Sequence, residues 1–84
     1  MVGIKMTKND FFELISGVLT VPVEELSLES TPEQIAQWDS LAQVAMCTAF
    51  EQTLNIQFSM SDMLSIKSLS NLVDVLEKHN VSLG

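Results

Sequence analysis

The sequence predicts an all-α fold, a small four-helix bundle with three main helices, a short third helix and a long ordered loop between helices 1 and 2. Apolar residues recur at spacings of three and four along most of the chain, which is the period of an α-helix. We find no convincing strand pattern. The chain has 84 residues, enough for one domain, 1–84, and not for two.

The first helix is predicted from about Thr7 to Leu19. Its apolar residues have helical spacing: Phe11, Leu14, Ile15, Val18 and Leu19. Thr7 followed by Asp10 resembles a capping box with a shorter acid. Val21-Pro22 then ends the helix, because the residue before a proline is biased away from the α region.

A long connection from about Thr20 to Asp39 contains both prolines. A connection of this length in so small a domain usually has a function or packs tightly. Five apolar residues are available to anchor it to the core: Val23, Leu26, Leu28, Ile35 and Trp38. We expect one short helical turn after Pro22. Thr31-Pro32 is a second start signal, a cap residue followed by proline.

The second helix is predicted from Ser40 to Leu54, with Asp39 as its N-cap and Asn55 at its end. A short third helix is expected near Ser61 to Leu64, with Ser61 and Asp62 as cap-type residues at its start. The fourth begins near Ser68 and has a regular apolar stripe. That stripe consists of Leu69, Leu72, Val73 and Leu76.

The charge of the chain narrows the class of binding partner. The chain has eleven Asp and Glu but only four Lys and Arg, and its net charge is −7. Nucleic acid is disfavoured because phosphate binding needs clustered cations, and so is an anionic membrane surface. Partners with basic patches would be attracted, although acidity also simply keeps a small protein in solution. No segment suits a membrane span and Met1 to Lys8 lacks a signal-peptide core. We expect a free-standing cytoplasmic monomer without membrane insertion.

Residues for metal binding or catalysis are scarce. One His and one Cys do not make a zinc cluster, and no calcium-loop pattern occurs, so no metal site is expected. Cys47 is interpreted as a small apolar residue on or near the packed face. His79 is interpreted as a solvated residue at a helix end. With no Gly-rich phosphate loop either, we expect a non-catalytic protein.

Ser40 is the candidate for modification. It follows Asp39 at a junction where a long loop becomes a helix. On one interpretation it is an ordinary first-turn residue beside its cap. On the other, the unpaired backbone N–H groups and positive dipole of the helix start favour a phosphate on its hydroxyl. An exposed junction would also give a modifying enzyme access.

At these residues the chain resembles the carrier-protein family, which comprises acyl carrier proteins and the related peptidyl carrier proteins. The similar residues are Trp38-Asp39-Ser40-Leu41, followed by Val44, Phe50, Glu51, Leu54 and the Ser68-Leu69 start of the fourth helix. The resemblance extends from Thr7 to His79.

The resemblance implies that a phosphopantetheinyl transferase uses coenzyme A to attach 4′-phosphopantetheine to Ser40 through a phosphodiester. The thiol of that arm would carry an acyl or aminoacyl group as a thioester. Asp39 would assist recognition by the transferase, and Leu41 would help to hold the junction. Loading enzymes and downstream synthases or transferases would perform the chemistry.

The second helix departs from that of the familiar fatty-acid carriers, which is rich in Glu. Between Leu41 and Leu54 only Glu51 is charged, and Trp38 stands where those carriers usually have a small or polar residue. We expect the exposed stretch of this helix to consist of seven residues without charge: Ala42, Gln43, Ala45, Met46, Cys47, Gln52 and Thr53.

These departures favour a specialised polyketide, nonribosomal peptide or modified-lipid pathway. General fatty-acid synthesis and an unmodified helical interaction module are the alternatives. A neutral helix face also predicts docking that depends more on apolar contact and less on salt. Whether the cargo lies between the helices depends on how they pack.

Overall fold

Four α-helices and two short strands follow one another in the computed structural model, which describes residues 3–84. The elements are β1 (Ile4–Met6), α1 (Lys8–Leu19), α2 (Ser40–Leu54), α3 (Met60–Ser65), α4 (Leu69–Lys78) and β2 (Val81–Leu83), with one 3₁₀ turn at Val23–Glu25. The mainly helical architecture and all four predicted helices are confirmed. Within the described range, no helix has the length and apolar character needed to cross a bilayer.

Local signals set the ends of α1 and α2. The Thr7 hydroxyl accepts the backbone N–H of Asp10 at 3.0 Å and caps α1. Thr20 ends this helix in the left-handed region, with φ 58°, so α1 stops just before the Val21-Pro22 pair rather than at it. Asn55, with φ 55°, ends α2 in the same way. The predicted bounds of α2 are confirmed to the residue.

The start of α3 corrects the prediction, because Ser59 and not Ser61 caps it. The Ser59 hydroxyl accepts the N–H of Asp62, and the Asp62 carboxylate accepts the N–H of Ser59, each at 3.0 Å. This reciprocal pair is a capping box, which satisfies two backbone donors at the helix start. It moves the first helical residue to Met60.

A two-stranded parallel sheet corrects the expectation that the chain has no strands. Ile4 pairs with Val81 and Met6 with Leu83, which joins the two ends of the chain. Strands of three residues are too short to show an alternating pattern, and only the folded bundle brings them together. Gly3 is required beside this sheet, since a Cβ there would lie 2.5 Å from the carbonyl oxygen of Asn80.

The long loop packs against the bundle, as predicted. Ile35 and Trp38 are buried, Leu26 and Leu28 pack partly buried against the core, and Val23 is half-buried.

Backbone hydrogen bonds also attach this loop to α4. The N–H of Leu69 donates to the carbonyl of Ser30 at 3.1 Å, and that of Ser70 to the carbonyl of Leu28 at 2.8 Å. The first N–H groups of a helix have no partner within the helix, so the loop satisfies two of them for α4. The loop is therefore an ordered part of the fold and holds Ser40 in a defined place.

Candidate functional site

Ser40 is the first residue of α2 and is exposed. Asp39 is the N-cap, and its Oδ1 accepts the backbone N–H of Ala42 at 2.9 Å. The carbonyl of Asp39 accepts the N–H of Gln43 at 2.9 Å. Asp39 therefore fixes the start of the helix and leaves the amides of Ser40 and Leu41 for other partners. The predicted junction, cap and exposed hydroxyl are confirmed.

An open groove of about 470 Å³ lies beside this serine, and we call it the Ser40 groove. Its residues come from the long loop, the start of α2, α3 and the residue after α3. They are Pro32, Trp38, Asp39, Ser40, Gln43, Met63, Leu64 and Ile66. A group attached to the Ser40 hydroxyl would start inside a surface that is mostly apolar.

Three residues of this groove form a hydrogen-bonded unit, which we call the Gln43 bridge. Trp38 Nε1–H donates to Oε1 of Gln43 at 2.7 Å. Gln43 Nε2–H donates to the backbone carbonyl of Met63 at 3.0 Å. The bridge joins the long loop, α2 and α3, and it provides the buried Trp38 with the partner that an indole N–H needs. The sequence pattern did not predict this role for Gln43.

Leu41 is 82 % exposed, so its side chain does not pack into the core, and its expected part in holding the junction stays a prediction. Val44, Met60 and Leu64 are also exposed, at 56 %, 67 % and 70 %. Residues three or four apart lie on one face of a helix, so α2 and α3 each present a pair of these side chains. Leu64 lines the Ser40 groove and Leu41 follows Ser40. We call these four the exposed apolar residues.

The prediction that one stretch of α2 is exposed is partly wrong. Met46 and Cys47 are buried, with 0 % and 1 % of their surface accessible. Glu51, the single charge between Leu41 and Leu54, is half-buried, and its Oε2 accepts the N–H of Phe58 at 2.8 Å. The exposed face of α2 is therefore even less charged than the sequence suggested.

The interpretation of Cys47 as a packed apolar residue is confirmed. Burial, followed by the nearby negative charge of Glu51, raises the pKa of its thiol to about 11. Because the thiolate and not the thiol is the nucleophile, Cys47 is a poor candidate for nucleophilic chemistry.

His79 is at a helix end, as predicted, but it is only partly solvated, with 25 % of its side chain exposed. Its Nε2 lies 2.9 Å from Oδ2 of Asp62, and its ring packs edge-on against Phe58 at 5.5 Å. Lys78 Nζ lies 2.5 Å from Oδ1, the other carboxylate oxygen of Asp62. The side chain of Asp62 is 2 % exposed. We call Asp62, Lys78 and His79 the Asp62 cluster.

The hydrogen bonds within this cluster, with that of Lys78 first, hold the pKa of the Asp62 carboxyl well below its usual range. The sequence pattern predicts Asp62 only as a cap-type residue of α3. The cap pattern of α3 and the basic end of α4 were visible in the sequence, but their contact was not.

Two comparisons with known proteins show the family to which the chain belongs. The family described as phosphopantetheine attachment site matches residues 9–76, most of the chain. A protein of Coprothermobacter proteolyticus named acyl carrier protein is 28 % identical over an aligned length of 78 residues. The match covers 88 % of this chain and 95 % of that protein.

The residues at the groove fit such a prosthetic group. An exposed primary hydroxyl can accept a phosphoryl group, and the positive end of the α2 dipole favours the resulting phosphodiester anion. The adjoining groove presents an apolar surface along which a flexible arm can lie. The chain belongs to the phosphopantetheine attachment site family, and it is a carrier protein whose prosthetic group is a covalently attached 4′-phosphopantetheine.

Proposed function

We propose that Ser40 is the attachment point and that the protein holds acyl or aminoacyl intermediates as thioesters on the resulting arm. The observation that carries the proposal is the exposed Ser40 hydroxyl at the capped N-terminus of α2, within the matched region and beside the groove. Asp39 supports it by fixing the helix start that presents this hydroxyl.

The modification is a phosphoryl transfer from coenzyme A. The Ser40 Oγ forms a bond to the phosphorus that bears the pantetheine group. The bond from this phosphorus to the bridging pyrophosphate oxygen breaks, and the electron pair leaves with adenosine 3′,5′-bisphosphate. The hydroxyl proton passes to a base of the transferase. Ser40 contributes the nucleophile, and the dipole of α2 favours the charge of the phosphodiester.

As a carrier, the protein contributes a high local concentration of its cargo. A tethered intermediate remains near each enzyme that docks on the carrier, so transfer between partners does not require release. The partners we propose are a phosphopantetheinyl transferase, an acyl- or aminoacyl-loading enzyme, and downstream synthases or transferases.

The surface around the groove supports a specialised polyketide, nonribosomal peptide or modified-lipid pathway. Of the exposed apolar residues, Leu64 lines the groove beside Ser40 and Leu41 follows Ser40 in α2. Glu51, the single charge within α2, accepts a backbone hydrogen bond. Partners that fit this surface would present apolar contacts and not an array of cations.

Mass measurement tests the attachment. The protein is incubated with coenzyme A and a broad-range transferase, and we expect the gain of one phosphopantetheinyl group. The Ser40→Ala variant should gain none. Ser61→Ala is the matched control, because Ser61 is an exposed serine in the first turn of another helix. Failure of the native protein to gain mass with several transferases would refute the proposal.

Function in the host separates this proposal from an unmodified interaction module. If the arm is needed, replacing the native gene by Ser40→Ala abolishes the pathway product, and Ser61→Ala preserves it. Full function of Ser40→Ala would favour the unmodified module. Mass spectrometry of protein loaded in its host then identifies the cargo, and an ordinary fatty-acid intermediate would favour general fatty-acid synthesis.

A further inference from the structure

Gln43 occupies the position on α2 where the Ser40 groove meets the core. Residues three, four and seven positions later on a helix share a face with it. Those residues are Met46, Cys47 and Phe50, all at most 1 % exposed. Gln43 is half-buried and is the polar first member of this buried face, and it also lines the groove. The apolar interior therefore begins one helical turn behind its side chain.

Both the oxygen and the nitrogen of the Gln43 carboxamide form hydrogen bonds. Oε1 accepts from Trp38 and Nε2 donates to the carbonyl of Met63, so the side chain spans from the loop to α3. A chain that entered the interior between α2 and α3 at Gln43 would break these bonds. Trp38 is only 3 % exposed, and its indole N–H would lose its partner. An unpaired buried donor is more costly than the loss of an ordinary exposed hydrogen bond.

We propose that Gln43 is a specificity-determining residue, which keeps the cargo in the open Ser40 groove and out of the interior. This inference rests on the proposed function, because it concerns a group tethered to Ser40. The carrier would then suit short or polar acyl and aminoacyl groups, whose thioester stays accessible to partners. A long alkyl chain would have no enclosed site behind the Gln43 bridge.

The test uses the full-length protein loaded with acetyl-, hexanoyl- or octanoyl-coenzyme A as probes. Thermal midpoints and the rate of thioester cleavage by hydroxylamine are measured for each loaded form. For the native protein we expect both quantities to be independent of chain length. For Gln43→Ala we expect the midpoint to rise with chain length and cleavage to slow, by up to about fourfold for each methylene that becomes buried. Gln52→Ala, at an exposed position of the same helix, should behave like the native protein.

Each result decides the matter. Protection of the octanoyl thioester that is as strong in the native protein as in Gln43→Ala overturns the proposal, and so does a Gln43→Ala variant without length dependence. If circular dichroism shows that Gln43→Ala does not fold, Trp38→Phe replaces it, since this change removes the indole donor and keeps an aromatic ring. The native series is informative without any variant. Loss of all loading at Ser40, seen by mass, refutes the proposed function itself and this inference with it.

Discussion

The Nε2 atom of His79 lies 2.9 Å from Oδ2 of Asp62, and this contact joins the end of α4 to α3. Lys78 binds the other carboxylate oxygen, so two consecutive residues hold one buried acid. The same helix α3 provides Met63 and Leu64 to the Ser40 groove. The Asp62 cluster therefore uses Lys78 and His79, at the end of α4, to position one side of this groove.

We expect Asp62→Asn to lower the thermal midpoint of unfolding by several degrees at pH 7. The neutral amide keeps the shape but loses the charge that Lys78 and His79 bind. Asp74→Asn is the matched control, because Asp74 is an exposed acid on α4. The thermal midpoint of this variant should stay near that of the native protein.

The same pair of variants gives the dependence on pH. The pKa of Asp62 is lower in the folded state, so its stabilising effect is complete above about pH 5 and is lost as the pH falls below the ordinary Asp value near 4. The difference between the native protein and Asp62→Asn should therefore shrink in acid. A constant difference from pH 7 to the acid limit would contradict this assignment.

Cys47 should resist alkylation in the folded protein. Burial raises the pKa of this thiol to about 11, so little thiolate forms at pH 8 and the side chain is inaccessible. Iodoacetamide labelling followed by mass spectrometry measures the rate. Labelling should become fast in urea, where the thiol is exposed, and an equal rate in both conditions would show that Cys47 is not buried.

Leu41→Asp should slow modification by the transferase about tenfold or more in kcat/KM without lowering the thermal midpoint. The side chain is 82 % exposed, so its loss affects the approach of a partner and not packing. Gln52→Asp adds the same charge at another exposed position of α2 and should have little effect. Equal loss in both variants would indicate a general effect of charge.

The dependence of this reaction on salt is a separate prediction. With an almost uncharged α2 face, kcat/KM should change less than about threefold between roughly 50 and 500 mM NaCl, because screening acts only on charged contacts. A steep decline across this range would mean that the acidic residues elsewhere on the chain bind the partner.

Val81→Ala tests the contribution of the sheet to stability. Val81 is 1 % exposed and pairs with Ile4, so shortening it should cost about 1–3 kcal/mol in the free energy of unfolding. Ser82→Ala, an exposed change in the same strand, should stay within about 0.5 kcal/mol of the native protein. Urea denaturation measures both, and equal values would show that the strand contributes little.

Signals close together in the chain were sufficient to predict α2 and its first residue. Asp39 caps the helix through an amide three residues away, and Asn55 ends it by a local change of backbone conformation. Both interactions involve neighbours in sequence, so their outcome depends little on the rest of the fold. The exposed Ser40 follows from the same local geometry.

Which face of α2 is buried was not predictable in the same way. Apolar residues surround this helix, with Leu41 and Val44 exposed and Met46 and Phe50 buried. A periodic pattern identifies the buried face only when one face is polar. Packing against α1, where the rings of Phe50 and Phe11 are 5.6 Å apart, decides the orientation.

The sequence by itself therefore determined the helices, the capped junction at Ser40 and the resemblance to a carrier protein. The tertiary structure alone decided the parallel sheet, the Asp62 cluster and the Gln43 bridge, since each joins residues that only the folded bundle brings together. Short-range hydrogen bonds define a helix start. A groove and its boundary with the core depend on how separate elements pack, and a single sequence does not contain those distances.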